Sequence, residues 1–235
     1  MTGVPVLHRG RGYIAVDKPA GTTVIPGRGE ERTPSLAEQV ERELGARVWT
    51  VHRLDRDTSG VLLFALDAAS HRALSMAFEA GRVEKRYLAL VRGDVREPLD
   101  LSTHLAPARR GRMRPVRPGE DGKSARTLVR PLERFGGRAT LVEAQPLTGR
   151  THQIRVQLLA AGYPLLVDHQ YGHKASIREI DIGGAGDAPV LARTPLHAAH
   201  VRLAQLPGIE DAEIESPLPQ DMRRTIELLR AMNVS

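Results

Sequence analysis

The sequence predicts an α+β fold, with a mixed, largely antiparallel central sheet and flanking helices, carried by one domain over residues 1–235. Three observations predict it. Strand-like segments outnumber helix-like ones. They come in runs without regular alternation with helices, which argues against a doubly wound sheet. No Gly-x-Gly-x-x-Gly or Walker-type loop lies between a strand and a helix, so no nucleotide cofactor is indicated.

Taken in order, Tyr13–Val16 reads as a strand that stops at the turn Lys18-Pro19-Ala20-Gly21. Ser35 to Leu44 reads as a helix, with Ser35 and Glu38 spaced as a capping box and Gly45 as its stop. Val48–Val51 is a short strand delivering the chain into a polar loop, His52 to Gly60, and Val61–Leu66 forms a buried strand after it. Ser70–Ala80 is helical and closes at Gly81. Tyr87–Val91 is a strand with Tyr87, Ala89 and Val91 on one face. Leu99–Gly122 is rich in Pro, Gly and Arg and reads as an irregular insertion. Strands follow near Ala125–Pro131 and Ala139–Gln145. Thr151–Ala161 is helical, with Ile154 and Leu158 on one face and Gly162 as the stop. Leu196–Leu203 returns to strand, and a last helix near Gln220–Met232 carries Met222, Ile226 and Leu229 as a stripe.

Composition narrows the function. The chain has no cysteine, which removes disulfides, thiolate metal sites and a cysteine nucleophile. Met1–Gly12 has no apolar core of signal-peptide length, and the longest apolar run, Val61–Leu66, is too short for a bilayer. A cytoplasmic protein without a membrane partner is expected. Net charge is +6. From Arg109 to Arg138 ten Lys and Arg stand against three acids (Glu120, Asp121 and Glu133), a local excess of +7. RNA contact and a solvated basic loop explain that excess equally well. Monomer is the expected state, since no exposed heptad pattern is present.

The loop His52-Arg53-Leu54-Asp55-Arg56-Asp57-Thr58-Ser59-Gly60 carries the chemistry. Arg53 and Arg56 flank Asp55 and favour its ionised form. Such a carboxylate suits a nucleophile or base better than a general acid. A metal bound by His52, Asp55 and Asp57 is disfavoured, because the two arginines repel a cation. Taken by itself, the pattern also fits a turn-forming Asp with surface arginine partners.

His-Arg-Leu-Asp-x-x-Thr-Ser-Gly resembles the signature of the RluA family of pseudouridine synthases at every fixed position. Seven fixed residues coincide by chance at one position about once in a billion. Asp17-Lys18-Pro19-Ala20-Gly21, followed by Val24, is similar to the family's first motif. Leu147-Thr148-Gly149-Arg150-Thr151-His152-Gln153-Ile154-Arg155 is similar to its third, trailed by Gly162-Tyr163-Pro164-Leu165 and by Asp168, Tyr171 and Gly172. Lys85-Arg86-Tyr87 stands where the family has its active-site tyrosine. The similarity spans about Tyr13 to Val201, with departures at Ile25, Gln157 and Val167 and around Leu196-His197-Ala198.

The resemblance implies the pseudouridine synthase catalytic fold and an isomerase that converts uridine in tRNA or large-subunit rRNA to pseudouridine, with no cofactor and no metal. It implies Asp55 as the catalytic carboxylate, by attack or by proton removal. Arg155 is its expected ion-pair partner, with Arg150 as substitute, and Tyr87 is the ring that stacks on the uracil. Arg53 is expected to fill the stack vacated by an extruded base. Arg150, Ile154, His52 and Thr58 complete the expected substrate-binding set, His52 and His152 being structural rather than catalytic. The alternative is a non-catalytic RNA-binding or ribosome-assembly protein on the same scaffold. Many relatives carry a small N-terminal RNA-binding module; none is expected here.

Overall fold

A computed structural model describes residues 3–26, 33–117, 120–172 and 174–232. The chain falls into two compact units, Met1–Lys85 with Ala198–Pro217, and Arg86–His197 with Leu218–Ser235. Both combine antiparallel strands with helices, so the α+β class predicted from the run of strands is the one observed.

In the first unit, β1 (Val6–Gly10) turns at Arg11-Gly12 into β2 (Tyr13–Lys18). β2 pairs antiparallel with β4 (Ser59–Ala65), from Tyr13 opposite Ala65 to Lys18 opposite Gly60. That register sets the ends of the first two motifs beside each other. β3 (Trp49–Thr50) also pairs with β4. All seven residues of β4 are buried, as an apolar run in an interior strand requires. β4 neighbours β12 (Leu196–Leu203), which in turn pairs with β13 (Ala212–Glu215). α1 (Leu36–Leu44) carries the expected reciprocal capping box between Ser35 and Glu38 and ends at Gly45 with φ 63°. α2 (Ala68–Glu79) starts two residues before its predicted position, because Asp67 accepts a hydrogen bond from Ser70 N–H and caps it. Leu74 and Ala77 of α2 pack with Tyr13, Val61, Leu63 and Val201 in the core of this unit.

In the second unit the strand order is β5 (Glu84–Arg92), β9 (Ala139–Pro146), β8 (Lys123–Phe135), β6 (Leu99–Pro107) and β7 (Met113–Val116), each pair antiparallel. The segment Leu99–Gly122, read from sequence as irregular, is instead largely the hairpin β6–β7; Pro118 and Gly119 lie outside the described residues. Its strand signal is the alternation Leu99, Leu101, Thr103, Leu105. The prolines are tolerated because Pro107 ends β6 and Pro115 lies on the last strand of the order. Pro131 falls where the β8–β9 register shifts, the other place a sheet accepts proline. Tyr87, Ala89 and Val91 of β5 do share one apolar cluster, which also takes in Ile154 and Leu158.

α3 (Gln153–Ala160) is shorter than predicted, since His152 is left-handed at φ 53° and delays its start. α4 (Gln220–Met232) buries Met222, Ile226 and Leu229 as expected. A short pair, β10 (Ile177–Arg178) and β11 (Pro189–Leu191), was not legible in the sequence. Among the described residues, no helix is long and apolar enough to cross a membrane.

Candidate active site

Of the expected site residues, His52, Arg53, Asp55 and Thr58 belong to the first unit, and Tyr87, Arg150, Ile154 and Arg155 to the second.

The His52–Gly60 loop is held mainly through its backbone. Lys18, fully buried, donates from Nζ to the carbonyls of Pro19 (2.9 Å), Arg56 (2.8 Å) and Thr58 (2.8 Å). Gly21 N–H donates to Arg56 O at 2.9 Å, and Arg56 Nε returns a bond to Gly21 O at 3.0 Å. The turn itself closes through Thr58 N–H to Asp55 O, 3.1 Å. Gly60 has φ 109°, and a Cβ there would lie 2.2 Å from the carbonyl oxygen of Ala198, so only glycine fits.

His52 accepts from Leu63 N–H at Nε2 (3.0 Å) and stacks on Phe78 with centroids 4.2 Å apart. The predicted structural role within the loop is thus a tie to the neighbouring strand. Burial, and then the charge of Lys85, push its pKa down to about 3, so the ring is neutral. Asp55 is partly buried, Arg53 is exposed, and Thr58 is buried with a hydroxyl that has no hydrogen-bond partner among the described residues.

The second unit fixes its motif through side chains. Arg155, 7% exposed, makes a bidentate pair with Asp168, 2.8 Å from Nε and 2.8 Å from Nη2, and Nη2 also donates to Gln170 (3.0 Å). Asp168 Oδ1 further accepts from the N–H groups of Gln170 and Tyr171. Burial alone would raise the Asp168 pKa. The Arg155 hydrogen bonds and charge, with the two backbone donors, outweigh it and hold the carboxyl below its ordinary value.

Tyr171 has the guanidinium carbons of Arg155 and Arg112 5.0 and 5.1 Å from its ring centroid. Its hydroxyl accepts from Met113 N–H (2.7 Å) and shares a hydrogen bond with His152 Nδ1 (2.8 Å). Burial raises its pKa, with the Met113 bond acting against it. The Arg-rich hairpin tip is therefore tied to α3 by one tyrosine.

Upstream, Gln153 Oε1 accepts from Thr148 Oγ1 and Arg150 N–H, and its amide donates to Arg126 O and Thr127 Oγ1. Gln157 accepts from Thr127 Oγ1 and donates to Leu101 O, Thr103 Oγ1 and Ala125 O. Arg150 is exposed and donates from Nε to Ser124 O. Tyr87 is partly buried against the apolar cluster that buries Ile154.

Lys18, Asp168 and Tyr171 stand within or beside the motifs, whose pattern assigns them no role. Their decisive partners lie far along the chain, Thr58 40 positions from Lys18, Arg155 13 from Asp168 and Met113 58 from Tyr171, beyond any local pattern. Among the described residues, no group of three or more His, Asp or Glu is placed to hold a metal.

The α+β architecture with this loop and this buried Arg–Asp pair defines a class. Residues 12–160 match the family model described as RNA pseudouridylate synthase, and the chain belongs to that family. Among curated proteins it is 36% identical over 231 residues to the ribosomal large subunit pseudouridine synthase C of Salmonella typhi, covering 96% of this chain and 70% of that protein. The protein of the same description from Escherichia coli strain K12 is 35% identical over 232 residues, with the same coverage. Among solved structures, the human RNA pseudouridylate synthase domain containing 4 superposes with a TM-score of 0.74 at 25% identity, over 96% of this chain and 93% of that one. The human domain containing 1 does so with a TM-score of 0.70 at 26% identity, over 97% and 95%.

Proposed function

We propose that this chain isomerises specific uridines of large-subunit ribosomal RNA to pseudouridine. The observation that carries the substrate is the 36% identity across 96% of the chain to a synthase named for that RNA. The reaction breaks the N1–C1′ bond, forms C5–C1′, releases the C5 proton and gives N1 a proton. It is redox-neutral and transfers nothing to a second molecule.

In this reading Asp55 starts the bond cleavage, and Arg155, itself oriented by Asp168, pairs with that carboxylate and orients it. Tyr87 stacks on the uracil. A uridine inside folded RNA must leave its stack to be reached, at about a few kcal/mol. Exposed Arg53 offsets that loss by filling the gap. Arg150 and the basic residues between Arg109 and Arg138 hold phosphates. The protein works in the cytoplasm as a monomer.

Release of tritium from large-subunit rRNA labelled at uridine C5 tests this directly. Release is expected, undiminished by EDTA. A chain that binds the RNA yet releases nothing from rRNA or tRNA is a binding protein on this scaffold, and the proposal fails.

A further inference from the structure

The ten basic residues between Arg109 and Arg138 are not alike in their surroundings. Four of them have a carboxylate within the second unit. Arg126 meets Asp100 at 2.7 Å, Arg130 meets Glu143 at 3.0 Å, Arg114 meets Glu120 at 2.8 Å, and Arg134 holds Asp94. At the turn between β6 and β7 the pattern changes. Arg109, Arg110 and Arg112 stand side by side there, all exposed, and form no ion pair among the described residues.

The turn is also strained at one of these residues. Arg110 has φ 58° and ψ 39°, in the left-handed region, and Gly111 follows at φ 69°. Glycine and asparagine take that conformation readily, whereas a long side chain resists it. A solvated turn with no task would lose nothing by carrying asparagine at this position. The turn is nevertheless held firmly, with Ala108 N–H donating to Arg112 O at 2.7 Å. It is fastened from outside as well. Tyr171 is buried, and its hydroxyl accepts from Met113 N–H at 2.7 Å and meets Nδ1 of His152, the residue before α3, at 2.8 Å. The guanidinium of Arg112 lies 5.1 Å from the centroid of the same ring, a contact that aligns the charge without cancelling it. Three uncancelled guanidinium groups on a fastened turn suit a ligand that carries several negative charges in a row. For a chain that modifies RNA, that ligand is the phosphodiester backbone.

We propose that the β6–β7 turn is an RNA-docking element in which Arg109, Arg110 and Arg112 take backbone phosphates, with Tyr171 as the positioning residue that holds the turn in place. The proposal rests on the RNA-modifying reading above and narrows it. Phosphate contacts concentrate at the turn, because the arginines paired along the sheet have less charge to offer.

The test uses the full chain and a large-subunit rRNA fragment. Thermal midpoints are measured without RNA, and affinity is measured across a salt series. Arg110→Asn is expected to melt at or above the wild-type temperature. Its slope of log K against log salt should fall by about 0.7 to 0.9, the share of one phosphate contact. The triple variant Arg109→Gln, Arg110→Asn, Arg112→Gln should lower the slope by about 2 to 2.7 and weaken binding about a hundredfold near physiological salt. Arg130→Gln combined with Glu143→Gln removes a matched pair, and its slope should fall by less than the share of one contact. Tyr171→Phe keeps the ring and loses the hydroxyl, so binding should weaken about threefold to tenfold. Added to the triple variant, the same change should weaken binding no further.

A triple variant with wild-type affinity and slope overturns the inference. So does a fall in slope as large from the Arg130 and Glu143 pair. A loss from Tyr171→Phe that is equal in both backgrounds would make that tyrosine structural and overturn its positioning role. Should the triple variant fail to fold, the slope of Arg110→Asn decides in the same way. Tritium release by the wild-type chain is read separately, so its absence would strike the isomerase reading and not the docking element.

Discussion

The loop around Asp55 and the segment around Arg155 are both stiff, but they are stiffened by different means. The first is gripped through its main chain: one ammonium spans three carbonyls, and one imidazole takes one strand N–H. The second is gripped through side chains, in a mesh of Gln153, Gln157, Thr127 and Thr148 and in a separate set of bonds from Arg155 and Tyr171 to Asp168. A main-chain grip holds the loop's shape through carbonyls that any residue supplies, and places much of the load on Lys18. A side-chain mesh spreads the load, at the price of constraining which residues can occupy each position.

That contrast gives graded expectations. Lys18→Met removes the donor for three carbonyls at about 1–3 kcal/mol each when left unsatisfied, so a loss on the order of 4 kcal/mol is expected in denaturant unfolding, together with loss of activity. A loss under about 1 kcal/mol would mean the loop has other anchors of equal weight.

Asp168→Asn leaves Arg155 buried without its counter-charge and should cost about 3 kcal/mol. In the wild type, the depressed folded pKa of Asp168 means that its contribution is complete above the ordinary carboxylate range and is lost as pH falls through the folded value. The acid limb of the stability curve should therefore flatten in the variant.

Gln157→Leu breaks the mesh at one node while Gln153 still holds Thr127 and Thr148, so about 1–2 kcal/mol is expected. A cost as large as that of Lys18→Met would erase the distinction between the two regions.

His52 gives an expectation that is read only from the pH dependence. Its folded pKa of about 3 lies below the ordinary 6.5, so between those values the unfolded chain binds a proton that the folded one does not. Stability from this group is complete above about pH 6.5 and declines toward pH 3. His52→Gln should reduce the pH slope in that window by at most about 1.4 kcal/mol per unit, read from denaturant midpoints over the pH series.

What the sequence disclosed follows the same division. Local devices were legible: the Ser35–Glu38 box, the stripe of α4 and the run of β12 appear where patterning puts them. The β6–β7 hairpin was not, because its prolines and glycines mask a period-two alternation that matters only once β8 lies beside it. Asp55 stood out within a nine-residue signature, whereas the work of Lys18 depends on carbonyls up to 40 positions away. Tyr171 reaches a backbone N–H 58 positions away, a contact that no local pattern encodes.

The central claim is that the Asp55 carboxylate carries out the isomerisation while other groups bind the RNA. Its most direct test pairs single-turnover tritium release with RNA affinity for the wild-type chain and for Asp55→Asn. The account predicts release abolished by a factor of about 10⁴ or more, with affinity within about threefold of wild type. Release by Asp55→Asn at a rate near that of the wild-type chain would contradict it.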